Sequence, residues 1–407
     1  MEGSHQRSEP HQKPPRPFDF DKYPTRFVCL RLAYHGQTHD GLAKQVHTAN
    51  TVEAIVCEAL KRLKLIPNEG PQRFSRCART DKGVSALGNA FSLVMRAAEE
   101  GRPDFDYCKM INGCLPPTIR IVAWSFVPDT FDARFSCTSR TYRYYFCAGA
   151  LDLSAMQEAA QFLVGEHNFR NFCRLDVCNV DNFLRRVLHV AIAALDGGLA
   201  YLEITATAFL YHQIRCTMHV LFLVGQKLEP PSVVKSLLER GDAKPQYPLA
   251  DDAPLVLWEC AFDPRAVQWR YSSQAMTIIC AELHDIHAAM LIRAVISREM
   301  SSQLLTWCGD WTCAETSSVP RATAGGDERK RSREAVTVGS DWTAPRRHAQ
   351  LKARHQEIHC GMHRQDYIPL LERETEMTYA EKVSNLQGSK KTRHEENLSK
   401  KREDSVE

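Results

Sequence analysis

The chain has 407 residues, 43% hydrophobic and 25% charged, with a formal net charge of +3 and a pI near 8.1, which reads as a soluble globular protein with one large or two medium cores. Its fifteen cysteines are odd in number, form no C-x-x-C pair and sit mostly in apolar segments such as "FVCLRL" and "AIVCEAL", which excludes a disulfide framework and predicts reduced, mostly buried thiols. No apolar run approaches the roughly 18 residues that span a bilayer, and "MEGSHQRSEPHQKPPRPFDF" lacks the apolar stretch of a secretory leader; an intracellular protein without a membrane partner is expected. Cys173 and Cys178 in "NFCRLDVCNV" come nearest to a metal-binding pair. With no second pair at zinc-site spacing, no metal is expected.

Residues 1–24 are rich in Pro, His and charge and predict a flexible arm. The fold begins at "RFVCLRLAY", whose β-branched and aromatic content predicts a strand. Asn50 precedes "TVEAIVCEALKRLKLI" with Glu53 three positions on, a capping-box arrangement opening an amphipathic helix. A strand, the "RTDKG" loop, a strand at "NAFSLVMR", a helix near "FDYCKMINGCL" and a strand at "IRIVAWSFV" complete a first half, residues 25–127. "PDTFDARF" supplies turn residues near Val127, where the core divides.

The second half, residues 128–303, repeats the mixture. A strand at "SRTYRYYFCA" is followed by a helix opened by Ser154 with Gln157 three positions on. Two strands, "FLRRVLHVAIAAL" and "AYLEITATAF", flank the turn "DGG", and an apolar helix "YHQIRCTMHVLFLVGQKL" precedes a short one at "PSVVKSLLER" that stops at Gly241. Strands paired through turns and covered by helices predict an α+β fold rather than a doubly wound parallel sheet. Two similar subdomains are expected, each a mainly antiparallel sheet covered by helices, with the active-site cleft between them. Residues 304–350, rich in Ser, Gly, Pro and charge, predict a low-complexity linker or insertion. Residues 351–407 form a charged tail, with one short apolar patch to dock and a solvated basic end.

The positive charge is unevenly spread. Basic side chains alternate with aromatics at "RTYRYYF", "RLDVCNVDNFLRR" and "YHQIRCTMH", a mixture suited to phosphate contact plus base stacking. "RCARTDKGVSALG" sets Asp81 between Arg79 and Gly83. On its own, Asp-Lys-Gly between strands is an ordinary hairpin turn. In a tight loop, however, Arg79 and Asp81 leave the same face and enter one cleft, and Gly83 supplies a positive φ or a close backbone approach. Strand alternation in "RTYRYYF" puts Tyr142 and Tyr144 on one face and Arg143 and Tyr145 on the other. Arg215 lies in an otherwise apolar helix, with His212 one helical step away. A buried arginine there requires a partner, and Asp81 is the candidate.

In this order, "RTDKGVSALG", "RTYRYYF" and "FLYHQIR" resemble the three active-site motifs of the TruA family of tRNA pseudouridine synthases. The similarity runs from about Phe27 to about Phe262. "RTDKGVSA", "NFCRLDV", "KPQYPLADDAPLVLWECAF" and "YIPLLERETEMTYAEKV" are most similar to the eukaryotic branch that modifies uridines 38 and 39 of the tRNA anticodon stem-loop. The resemblance implies that Asp81 is the catalytic aspartate, that Tyr142 lies beside the target base, that Arg215 partners the aspartate, and that Arg79 holds the flipped-out nucleotide or the place it vacates. Arg134 and His212 join them as substrate-binding candidates. It further implies a tRNA partner, a homodimer, no cofactor, and a location in the nucleus and/or cytoplasm. At Gly41–Gln45, "GLAKQ", the chain departs from the family pattern: Leu42 and Lys44 stand where aromatics are usual.

Two other functions fit parts of this pattern. A catalytically silent RNA-binding protein of the same fold would have no need of an aspartate facing a phosphate-rich ligand. A hydrolase using Asp81, His212 and Arg215 would lack a recognisable nucleophile elbow or metal set.

Overall fold

The computed structural model describes residues 18–307 and 367–403. The apolar segment "FVCLRL" extends as β1 (Thr25–Tyr34), whose Val28, Cys29, Leu30 and Leu32 are wholly buried, the pattern of a strand covered on both faces. It lies between β3 (Ser85–Arg96) and β4 (Ile119–Phe126) and is antiparallel to both. β2 (Gln72–Arg76) pairs with β3. Helices α1 (Val52–Arg62) and α2 (Tyr107–Asn112) belong to this half of the chain.

The connection holding Val127 leads to β5 (Cys137–Cys147), which pairs with β8 (Leu199–Ala206) on one side and β9 (Leu255–Phe262) on the other. Beyond β8 lie β7 (Leu184–Leu195) and β6 (Gly165–Asn168). These pairings are antiparallel. A short parallel pairing of Ser85 with Val256 and Ala86 with Leu257 joins β3 to β9. Among the described residues the strands thus form one sheet in the order β4-β1-β3-β9-β5-β8-β7-β6, mainly antiparallel and accompanied by helices, an α+β fold. Helices α3 (Leu153–Gln161), α4 (Gln213–Gly225) and α5 (Val233–Glu239) belong to the second half, and every residue of α4 is buried.

Several local expectations change. The N-cap of α1 is Thr51, whose hydroxyl accepts the Ala54 amide, rather than Asn50; the Asn50 side chain is taken up by Thr38 and His39. Glu53 does not close a capping box but pairs with Arg76 at 2.8 Å. α3 is capped by Asp152 rather than Ser154, since a carboxylate there meets both the free amides and the positive end of the helix dipole. His212 precedes α4 in the left-handed region, φ 61°, instead of lying within it. The arm expected over 1–24 is described from Phe18, where Phe18 stacks on Tyr23 and Phe20 is buried; three aromatics give this end something to bury.

Of the charged tail expected over 351–407, residues 351–366 and 404–407 lie outside the described residues; in the rest the apolar patch is docked and the charged end makes contacts as well. Leu370 is fully buried and its amide donates to Glu229. Lys244 meets Glu376 at 2.7 Å, and the Glu376 amide donates to the Lys244 carbonyl. Helix α7 (Tyr379–Ser384) opens on a complete capping box between Thr378 and Glu381. In α8 (Ser389–Glu403), His394 and Asn397 reach the carbonyls of Val177 and Cys178.

The chain divides into two compact units, Met1–Met276 with Ile368–Glu407, and Thr277–Tyr367. A long helix, α6 (Ser273–Trp307), begins in the first and accounts for the described part of the second. Sequence reading assigned it no element, and the insertion expected over 304–350 starts with its last residues; from 308 on that insertion lies outside the described residues. Within α6, Ser273–Leu304 has mean hydropathy 1.4 over its most apolar window, only 11% of it buried, so one helix does have the length and composition to cross a bilayer. The contrary expectation rested on unbroken apolar runs, which Glu282, Asp285, Arg293 and Arg298 interrupt.

Candidate active site

The loop between β2 and β3 is seated before it presents anything. Tyr34, rising from the end of β1, hydrogen-bonds the Thr80 hydroxyl at 2.8 Å and accepts from Asn89, which also pins Ala78. The Leu42 amide donates to the Thr80 carbonyl at 3.1 Å. Leu42 is wholly buried, so in "GLAKQ" the aliphatic side chain packs inward while its backbone holds the loop. The Val84 amide closes the turn onto the Asp81 carbonyl, and Lys82 pairs with Asp40 at 2.6 Å. Lys82 and Thr48 together hold the Asp40 carboxyl below its usual range. Gly83 has φ +85°, and a Cβ there would lie 2.6 Å from Asp252 Oδ1. Both functions anticipated for that glycine are present.

Asp81 projects from this turn with about a third of its side chain accessible. His212 Nε2 stands 3.2 Å from Asp81 Oδ2, and Arg215 Nη1 stands 4.0 Å from the same oxygen. Arg215 is fixed from behind by donating through Nε to the Ala250 carbonyl at 2.7 Å, and its Nη2 faces Asp252 at 3.8 Å. His212 Nδ1 is buried without a hydrogen-bond partner, so the ring meets the carboxylate through Nε2 alone. Tyr211 lies against the His212 ring with centroids 3.8 Å apart and is partly exposed.

A cleft of about 600 Å³ opens over these groups, lined by Arg79, Asp81, Lys82, Tyr211, His212, Arg215 and Asp252 among others. That is room for a nucleotide-sized ligand. Arg79 is exposed at its edge; partial burial, then the charges of Arg76 and Arg134, push its guanidinium below the ordinary value. Crowded like charges of this kind favour an anion.

Four of the six residues singled out from sequence therefore meet at one cleft: Arg79, Asp81, His212 and Arg215. Tyr142 and Arg134 are not among its lining residues. Tyr142 is buried edge-on against Phe209, with centroids 5.2 Å apart, and burial raises its phenol well above the ordinary value, Cys260 and Tyr34 adding to the effect. Arg134 is exposed, with its guanidinium over the Phe135 ring. The alternation of β5 is as expected: Tyr142 and Tyr144 are buried, while Arg143 stacks on Trp258 at 3.8 Å and pairs with Glu203 on the other face. Sequence reading missed Asp252 and Tyr211 as site residues. Asp252 stood inside the quoted segment "KPQYPLADDAPLVLWECAF", but only the fold brings it to Gly83 and Arg215.

A mainly antiparallel sheet thus presents a carboxylate between a histidine and an arginine, in a cleft edged with cations. A family model described as tRNA pseudouridine synthase matches residues 159–263. The tRNA pseudouridine(38/39) synthase of Bos taurus is 40% identical over 306 residues, covering 68% of this chain and 63% of that protein. The Saccharomyces cerevisiae protein of the same name is 40% identical over 295 residues, 66% of this chain and 67% of its own length. The tRNA pseudouridine synthase A of Methanosphaerula palustris is 31% identical over 266 residues, 62% and 89% of the two chains. The chain belongs to the TruA family of tRNA pseudouridine synthases. It spans 63% of the length of the bovine and human relatives.

Proposed function

We propose that this chain isomerises uridine to pseudouridine in tRNA, at uridines 38 and 39 of the anticodon stem-loop, with Asp81 as the catalytic carboxylate. The observation that carries it is the convergence of His212 and Arg215 on one oxygen of Asp81 inside a cleft of nucleotide size. The reaction breaks the N1–C1′ bond, turns the uracil and forms a C5–C1′ bond, while C5 loses a proton and N1 gains one. No electrons enter or leave, so no cofactor is required.

The residues divide this work. Arg215, itself tethered to Ala250, stands beside the Asp81 carboxylate and aims it. His212 orients the same oxygen. Leaving the stack costs the target base a few kcal/mol, offset by the exposed aromatic surface of Tyr211 in the cleft. Arg79, with Arg76 and Arg134 near it, meets the phosphates or the space the nucleotide vacates. A homodimer spanning one tRNA, located in the nucleus and/or cytoplasm, completes the proposal; light scattering on the purified chain tests the first part.

Substitution Asp81→Ala, followed by pseudouridine mapping of tRNA incubated with each protein, decides the central point. Loss of modification with tRNA binding retained supports catalysis by Asp81. Unchanged modification removes the aspartate from the mechanism, and absence of modification by the unsubstituted protein leaves an RNA-binding function.

A further inference from the structure

Directly behind the aspartate loop, three cysteines meet that no sequence spacing connects. Cys77 precedes the loop, Cys137 opens β5, and Cys260 lies on β9. Their sulfurs all lie within 4.8 Å of one another, and all three residues are buried. Each is a free thiol. β5 and β9 pair directly, Arg140 opposite Cys260, which brings the second and third sulfurs together. The Cys77 amide donates to Ala90 on β3, which places the first beside them. Sulfurs bound to one zinc ion, each about 2.3 Å from it, stand about 3.8 Å apart, within the 4.8 Å that bounds this cluster.

The surroundings suit a charged centre. Arg140 is buried and donates to the carbonyls of Thr207, Arg134 and Cys77. All three thiols lie within its electrostatic reach. One guanidinium and one divalent cation together balance three thiolates, whereas three thiolates alone would leave uncompensated buried charge. Soft sulfur donors in a buried setting select a thiophilic d10 cation over magnesium or calcium.

We infer that Cys77, Cys137 and Cys260 form a three-sulfur site for zinc that ties the base of the Asp81 loop to β5 and β9. On binding, three S–H bonds give way to three S–metal bonds and three protons pass to solvent; no oxidation is involved. The expectation from sequence was that no metal binds, because ligand-pair spacing was sought and these ligands come from three separated segments. The site does not depend on the proposed pseudouridylation, since metal content is measured without RNA.

The test uses the full chain, purified under reducing conditions and dialysed against zinc, with the metal measured by elemental mass spectrometry. About one tightly held zinc per chain is expected, and cadmium titration is expected to give a thiolate charge-transfer band saturating at one equivalent. Cys137→Ser and Cys260→Ser should each lose the metal and the band, while Cys147→Ser, at an exposed cysteine, keeps both. If the serine variants fold poorly, the cadmium-113 chemical shift of the unsubstituted protein decides, being expected in the sulfur-rich range. Absence of stoichiometric metal and of the cadmium band, metal retained in the Cys137 and Cys260 variants, or a disulfide between two of the three under reducing conditions would each overturn the assignment.

Discussion

His212 Nε2 lies 3.2 Å from Asp81 Oδ2, and the histidine holds this position from a left-handed backbone, φ 61°, immediately before α4. The contact joins the two halves of the chain at the carboxylate. A hydrogen bond to a charged group contributes about 1.5–3 kcal/mol, which is about a ten- to hundredfold change in rate if it aligns the transition state. His212→Ala is expected to lower single-turnover pseudouridine formation by that factor with little change in tRNA affinity. An unaltered rate would show that Arg215 alone suffices to orient Asp81.

Gly83→Ala tests the bend. A left-handed φ of +85° costs an L-residue about 1–2 kcal/mol, and the new methyl group would also push Asp252 away from Arg215. A drop in melting temperature of about 2–6 °C is expected, together with reduced activity. Stability and activity equal to the unsubstituted protein would mean that the turn relaxes without displacing Asp252.

Arg79→Ala tests the cationic rim. If Arg79 meets a phosphate as proposed, its removal should reduce the slope of log affinity against log salt by about 0.7–0.9, so tRNA binding by the variant is expected to weaken at low salt and depend less on salt. Filter binding over a salt series measures it; an unchanged slope would place Arg79 away from phosphate.

Acid should loosen the C-terminal segment. Burial alone would raise the Glu376 carboxyl, but Lys244 and Lys382 outweigh it and hold it below its ordinary value. Because the folded value is depressed, the stabilisation is complete above the unfolded carboxylate range and is lost as pH falls through the folded one. Limited proteolysis of residues 367–403 is therefore expected to accelerate at acid pH, and Glu376→Gln should be cleaved faster at neutral pH and lose that dependence.

Much of this molecule was legible in its letters. Most strands and helices follow from β-branched runs and helical periodicity; Arg215 was paired with Asp81 because a charge in an apolar helix demands a partner, Arg79 was placed beside Asp81 by the tight loop, and the resemblance to the TruA motifs joined these residues and His212 into one site. Three kinds of feature escaped. Cap positions shifted by one or two residues where neighbours compete, as Asn50 and Thr51 do. Helix α6 was hidden because its charges break every apolar run while its average remains apolar. Asp252 and the cysteines at 77, 137 and 260 act through contacts between segments distant in the chain, and no local pattern encodes those.

The parallel pairing of Ser85 and Ala86 with Val256 and Leu257 has a temporal consequence. Asp81 leaves the ribosome long before Arg215, and Arg215 before the Ala250 carbonyl and Asp252 that hold its guanidinium. During synthesis Asp81 has no aligned partner until the chain has emerged through Asp252 and β9 has closed beside β3. Completion of that strand, rather than appearance of Asp81, assembles the cleft.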